Sequence, residues 1–171
     1  EGRTLSWIAQ VLDALSYIHS QNPPVIHRDI KPANIKITPA GKAHPLGQAM
    51  LVDFGVAKAY DPYKRTTLGA RAITPGFSPH EQYGQASLNT DARTDIYSLG
   101  ATLYMLLTGQ EPPESISRLL RDPLIPPRKL NPTLSPQIET AMLTAMQNDP
   151  DQRFQSAEEF RAAIGGLIPA T

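Results

Sequence analysis

The chain has 171 residues, 40% of them hydrophobic, and 16 Lys+Arg against 16 Asp+Glu, a formal net charge of zero. That is enough to bury the core of one domain or one large lobe, and it offers neither a basic face for nucleic acid nor a polybasic arm for a membrane. The absence of cysteine excludes disulfides and thiolate metal sites, and no apolar run approaches the roughly 20 residues that span a bilayer.

From Thr4 to Ser20, Leu5, Ile8, Leu12, Leu15 and Ile18 recur at helical spacing with Val11 beside them, which predicts a helix with one buried stripe. Trp7 and Tyr17 are expected to pack, and His19 to be a helix-end residue, not a metal ligand. Asn22-Pro23-Pro24 ends the pattern. Next comes Val25-Ile26-His27-Arg28-Asp29-Ile30-Lys31-Pro32-Ala33-Asn34-Ile35-Lys36-Ile37, a short strand, a polar loop and a second short strand. Pro32 keeps the loop from becoming a helix interior. Residues 35–38 and 49–52 read as paired strands, joined by a surface excursion over Pro39 to Gln48 in which His44 faces water. Asp53-Phe54-Gly55 follows the second of these strands. The run Asp61 to Gly69, with Thr66 and Thr67, is polar and aperiodic.

Farther on, Asp91 to Thr108 is apolar nearly all round in its second half, which predicts a buried helix with Asp95 near its start and Gly109 past its end. Prolines crowd the stretch from Glu111 to Pro136, broken by a short helical patch expected at Glu114 to Leu120. Ser135-Pro136 opens a helix striped with Ile138, Ala141, Met142, Ala145 and Met146. Ser156-Ala157-Glu158-Glu159 reads as a capping box for a last helix carrying Phe160 and Ile164.

Residues 27–34 match the H-R-D-x-K-x-x-N catalytic loop at every defined position, and D-F-G follows in the order that motif set requires. The chain thus resembles the protein kinase family, in its bacterial serine/threonine form. Ile73-Thr74-Pro75-Gly76-Phe77-Ser78-Pro79-His80-Glu81 resembles the end of the kinase substrate-docking segment, with Ile73 in place of a glycine and His80 in place of a proline. Asp95 to Gly100 resembles the D-x-[WY]-S-x-G helix, and Asp149-Pro150-Asp151-Gln152-Arg153-Phe154 resembles D-P-x-x-R-[FY].

The resemblance implies a role for each residue. Asp29 would orient the acceptor hydroxyl and take its proton, with Lys31 against the γ-phosphate. Asn34 and Asp53 would hold Mg2+, and Lys36, where many kinases have an apolar residue, would lie under the adenine of ATP. Thr74 would bond Asp29 and Lys31, His27 would support Phe54, and Asp95 would accept catalytic-loop N–H groups. Arg153 would form a buried ion pair with Glu81, and a phosphate on Thr66 or Thr67 would pair with Arg28.

The implied fold is mainly α with short β-hairpins: the C-terminal lobe of a kinase, over residues 1–171, as a helical bundle around a buried helix at Asp95–Thr108. These residues hold no G-x-G-x-x-G, and Glu1 is not a natural start. The expectation is therefore a piece of a longer, cytoplasmic kinase whose N-terminal lobe is supplied in cis, with membrane tethering of the parent left open. Protein substrates carrying Ser or Thr, ATP and Mg2+ are the implied partners, and this piece alone is expected to be inactive. A pseudokinase or scaffold module without phosphoryl transfer is the alternative, and a kinase-fold enzyme acting on small molecules is a third reading.

Overall fold

The computed structural model describes residues 1–42, 44–54, 58–59, 73–84 and 90–167, with backbone only at 58–59. Its helices are α1 (Gly2–His19), α2 (Ala92–Thr108), α3 (Pro127–Leu130), α4 (Pro136–Ala145) and α5 (Ala157–Gly165). Its strands are β1 (Val25–Ile26), β2 (Ile35–Ile37), β3 (Ala49–Leu51) and β4 (Lys58–Ala59). Short 3-10 turns lie at Pro32–Asn34, His80–Tyr83 and Pro150–Gln152. Gly55, Thr66, Thr67 and the Asp61–Gly69 run lie outside the described residues.

The stripe expected on α1 is the one it buries: Leu5, Ile8, Val11, Leu12 and Leu15 are shut off from solvent. They pack against α2 and α5. Tyr17, expected to pack, is instead 68% exposed, because its position on the helix turns it away from that stripe.

Helix α2 is buried on nearly every side, so its polar side chains need partners inside the fold. Several find them on the helix itself. Ser98 Oγ donates to the Thr94 carbonyl, Thr102 Oγ1 to that of Ser98, and Thr108 Oγ1 to that of Tyr104. The helix opens earlier than Asp95. Asp91 is the N-cap, accepting from the Arg93 N–H at 2.8 Å, and Thr94 completes a capping box. Asp95, expected at the helix start, sits inside the first turn with no solvent exposure, so its carboxylate bonds elsewhere. Gly109 ends the helix at φ +74°, a conformation that favours glycine.

Helix α4 begins as expected, with Ser135 Oγ accepting from the Ile138 N–H at 3.3 Å and Pro136 in the first turn. On α5, Ser156 Oγ accepts from the Glu159 N–H, but Glu159 Oε2 accepts from Gln155 N at 2.7 Å rather than from Ser156. The expected capping box therefore closes one residue early. Phe154 and Phe160 stack with centroids 4.9 Å apart, joining the preceding loop to α5.

Strands β2 and β3 form the expected antiparallel pair, Ile35 opposite Leu51 and Lys36 opposite Met50. Strand β1 pairs instead with β4, Val25 opposite Ala59, across a long sequence interval. The helical patch expected at Glu114–Leu120 is a run of turns, with Arg118 N bonded to Ser115 O and Leu119 N to Ile116 O. Arg118 lies within this run. Its guanidinium turns inward, Nη1 donating to Tyr97 Oη at 3.1 Å and to the Met146 carbonyl at 2.8 Å.

Candidate active site

The loop after β1 is held from beneath. Asp95 Oδ2 accepts from His27 N and Oδ1 from Arg28 N, both at 2.8 Å. His19 Nε2 lies 2.8 Å from Asp95 Oδ2 as well, so His19 does more than end α1. A carboxylate with no access to water demands such partners. Arg28 takes φ +70°, a left-handed conformation that L side chains resist, and these bonds help hold it there.

Asp29 is buried beside three side chains of the predicted set. Thr74 Oγ1 donates to its Oδ1 at 2.8 Å, Asn34 Nδ2 to its Oδ2 at 2.9 Å, and Lys31 Nζ lies 2.8 Å from Oδ2. Lys31 Nζ also donates to Thr74 Oγ1 at 3.1 Å, closing a triangle. Local structure places each member. Pro32 presets the backbone of the 3-10 turn that delivers Asn34. Thr74 opens a tight turn in which its carbonyl accepts from Phe77 N and Ser78 N, while its own N–H donates to Ser78 Oγ. Ile73 is 37% exposed, so the residue that replaces a glycine points where a side chain fits.

Asn34 Nδ2 also donates to the Asp29 backbone carbonyl at 2.8 Å. Both amide hydrogens are thus engaged by Asp29, which turns the amide oxygen to the other side. The Asn34 carbonyl accepts from Val52 N at 2.9 Å, and Val52 O receives His27 Nε2 at 3.2 Å. The His27 ring meets Phe54 edge-on, centroids 4.7 Å apart. Asp53 lies between these two anchored residues at φ +66° and is an exposed residue. Lys36 is exposed on β2, on the strand face opposite Ile35 and Ile37.

Below this network, Glu81 and Arg153 form a buried pair, with Nη1–Oε1 at 2.7 Å and Nη2–Oε2 at 3.1 Å. The other donors of Arg153 reach the carbonyls of Arg93, Gln147 and Asn148, so all five N–H groups are satisfied. Its guanidinium also lies 5.0 Å from the Tyr97 ring centroid. Burial holds the Tyr97 hydroxyl above its ordinary range, against the opposing pull of Arg118 and Arg153. Sequence reasoning missed Arg118 with its partner Asp122, and it missed Gln82, whose Nε2 donates to the Arg28 carbonyl at 2.7 Å. The available signal for Gln82 was its place next to Glu81. Successive residues of a 3-10 turn point roughly 120° apart, so one can reach Arg153 while the next reaches the loop.

This arrangement, a buried carboxylate held by a threonine, a lysine and an asparagine beside a D-F strand end, is of the protein-kinase type. The chain matches the protein kinase domain over residues 1–162 and belongs to that family. Its relatives include bacterial serine/threonine-protein kinases. It is 35% identical over 171 residues to PknB of Mycobacterium tuberculosis, covering 95% of this chain and 26% of that protein. It is 36% identical over 176 residues to pkn3 of Myxococcus xanthus, covering 96% and 31%. Among solved structures, the apo form of PpkA-294 superposes with TM-score 0.72 at 28% identity, covering 96% of this chain and 54% of that one. The PknI kinase domain of Mycobacterium tuberculosis superposes with TM-score 0.68 at 28% identity, covering 96% and 55%. The chain therefore spans about a quarter to a third of these curated relatives and about half of these solved chains.

Proposed function

We propose that this chain is the C-terminal lobe of a serine/threonine protein kinase that transfers the γ-phosphate of ATP to Ser or Thr hydroxyls of proteins. The observation that carries the reading is the closed triangle of Asp29, Lys31 and Thr74, to which Asn34 adds a fourth bond. Asp29 orients the acceptor hydroxyl and takes its proton. Thr74 and Lys31 fix the carboxylate's rotamer, and Lys31 is near enough to stabilise charge on the transferring group. Thr74 belongs to the same tight turn as the docking segment, so seating of a substrate peptide and aim of the base are mechanically linked.

The donor chemistry fits magnesium, a hard cation that takes oxygen ligands and keeps substrate phosphates in its shell. The Asn34 amide oxygen, turned away from Asp29, and the Asp53 carboxylate are the groups that would hold it. Among the described residues no cluster of three or more His, Asp or Glu could hold a metal without such a substrate. Magnesium would supply neutralisation of the phosphate charge. Lys36 would lie beneath the nucleotide base, its stem against the ring and its ammonium in water. Use of ATP fits a cytoplasmic location, and no described helix is long and apolar enough to cross a membrane.

The test is transfer from labelled ATP to a Ser/Thr protein substrate by the full-length protein, with Asp29→Asn as control. Loss of the base is expected to lower kcat by about 10²–10⁴-fold. Equal labelling by both proteins would remove Asp29 from the mechanism. The 171-residue polypeptide made by itself, lacking any glycine-rich phosphate loop, is expected to turn over negligibly, and robust transfer by it would overturn the assignment of a single lobe.

A further inference from the structure

Two consecutive residues of the His80–Tyr83 turn serve opposite ends of the lobe. Glu81 goes down to Arg153, and Gln82, 4% exposed, goes up to the catalytic loop, where Nε2 donates to the Arg28 carbonyl at 2.7 Å. That carbonyl shares a planar peptide unit with the Asp29 N–H. The preceding peptide unit is held by Asp95, through the Arg28 N–H. The planes on both sides of the Arg28 Cα are therefore clamped, one by each side chain. These are the planes that define the left-handed conformation at φ +70°.

The amide of Gln82 is used at one end only. Its Oε1 is buried with no hydrogen-bond partner among the described residues. A buried acceptor without a partner is unfavourable, and an apolar residue of the same length would avoid it. The orientation is not interchangeable, since the Arg28 carbonyl can only accept. Geometry thus singles out the Nε2–Arg28 bond as what this glutamine contributes.

We propose that Gln82 is a positioning residue for Asp29, holding the peptide ahead of the base so that its carboxylate points at the acceptor hydroxyl. The proposal rests on the reading of Asp29 as the base. It adds that the docking segment reaches Asp29 by two routes: the Thr74 hydroxyl at the carboxylate, and Gln82 at the backbone.

The test compares Gln82→Met and Gln82→Glu with the unmutated protein, all full length. Gln82→Met keeps length and burial but removes the donor. It is expected to lower kcat by about tenfold or more while KM for ATP stays within about twofold. Amide hydrogen exchange across Val25–Asn34 is expected to speed up about tenfold with α2 unchanged. Gln82→Glu can donate to the Arg28 carbonyl only as the neutral acid. Its activity relative to the unmutated protein should therefore rise as the pH falls, with an ionisation above the ordinary carboxylate range that Gln82→Met lacks. Unchanged kcat and unchanged loop exchange in Gln82→Met overturn the proposal. If that variant does not fold, a pH profile of Gln82→Glu parallel to the unmutated one overturns it. If the unmutated protein transfers no phosphate, the kinase reading fails by itself, and loop exchange alone decides whether Gln82 holds this backbone.

Discussion

Replacing Arg153 by methionine removes the guanidinium paired with Glu81 and leaves His80 Nδ1, 3.6 Å from Glu81 Oε2, as the nearest ionisable neighbour. The Arg153 side chain is 0% exposed and the Glu81 carboxylate 3%, so water cannot replace the lost partner. Thr94 Oγ1, at 3.2 Å from Glu81 Oε1, remains as a hydroxyl donor to that carboxylate. Three backbone carbonyls, of Arg93, Gln147 and Asn148, each lose the bond that Arg153 supplies in the same step. Breaking a buried pair by removing one member costs about 3–5 kcal/mol, a large part of the roughly 5–15 kcal/mol that holds a domain folded. In urea titrations followed by the fluorescence of Trp7, the single tryptophan, the midpoint should fall with little change in slope. The thermal midpoint should drop by about 2–4 °C for each kcal/mol lost. The double variant Glu81→Met, Arg153→Met should be less destabilised than the sum of the single changes, because it strands no charge. A loss below about 1 kcal/mol for Arg153→Met, or strict additivity in the cycle, would refute the claim that the stranded carboxylate is the cost.

Gly100→Ala should destabilise even though alanine is the better helix former by about 1 kcal/mol. A Cβ there would stand 2.7 Å from the Ala145 Cβ and 3.1 Å from Met146 Cγ, forcing α2 and α4 apart. Overpacking of about 1–3 kcal/mol should outweigh the propensity gain, and a raised urea midpoint would contradict this. Arg118 Nε and Nη2 clasp Asp122 at 2.9 Å each. Burial raises the Asp122 carboxyl, but the Arg118 bonds and the Leu124 N–H pull harder the other way, leaving it below its ordinary 3.8. With the folded value below the unfolded one, the contribution is present above 3.8 and lost as the pH falls through the folded value. Asp122→Asn should therefore be less stable than the unmutated protein near neutral pH, and the difference should close in acid. A difference that stays constant into acid would exclude the ion pair as its source.

Local chemistry made much of the fold readable in advance. Helical spacing marked the buried stripes of α1 and α4, Ser135-Pro136 marked a helix start, and alternation marked the faces of β2. Each of these depends on neighbours within a turn or a hairpin. The Asp29–Lys31–Thr74 association was expected from motif resemblance alone, because no periodicity joins positions on either side of the whole β2–β3 hairpin. Where tertiary packing overrode a local signal, the sequence reading went astray. Asp95 was expected as the helix-start acid, whereas packing assigns Asp91 to the cap and buries Asp95 beneath the loop. Likewise, nothing in the order of Glu114 to Leu120 says that Arg118 turns inward to Tyr97 or that the run forms turns in place of a helix.

The chain order by itself thus determined the buried stripes of α1 and α4, the start of α4, the stop of α2 and the motif set they carry, since propensity, capping and period act between residues close in sequence. The tertiary structure decided which buried polar atom meets which: His19 with Asp95, Gln82 with Arg28, Arg153 with three carbonyls and one carboxylate. The reason is desolvation. A buried donor or acceptor must find a partner wherever packing brings one, and that partner is set by how helices and loops cross in space, not by distance along the chain.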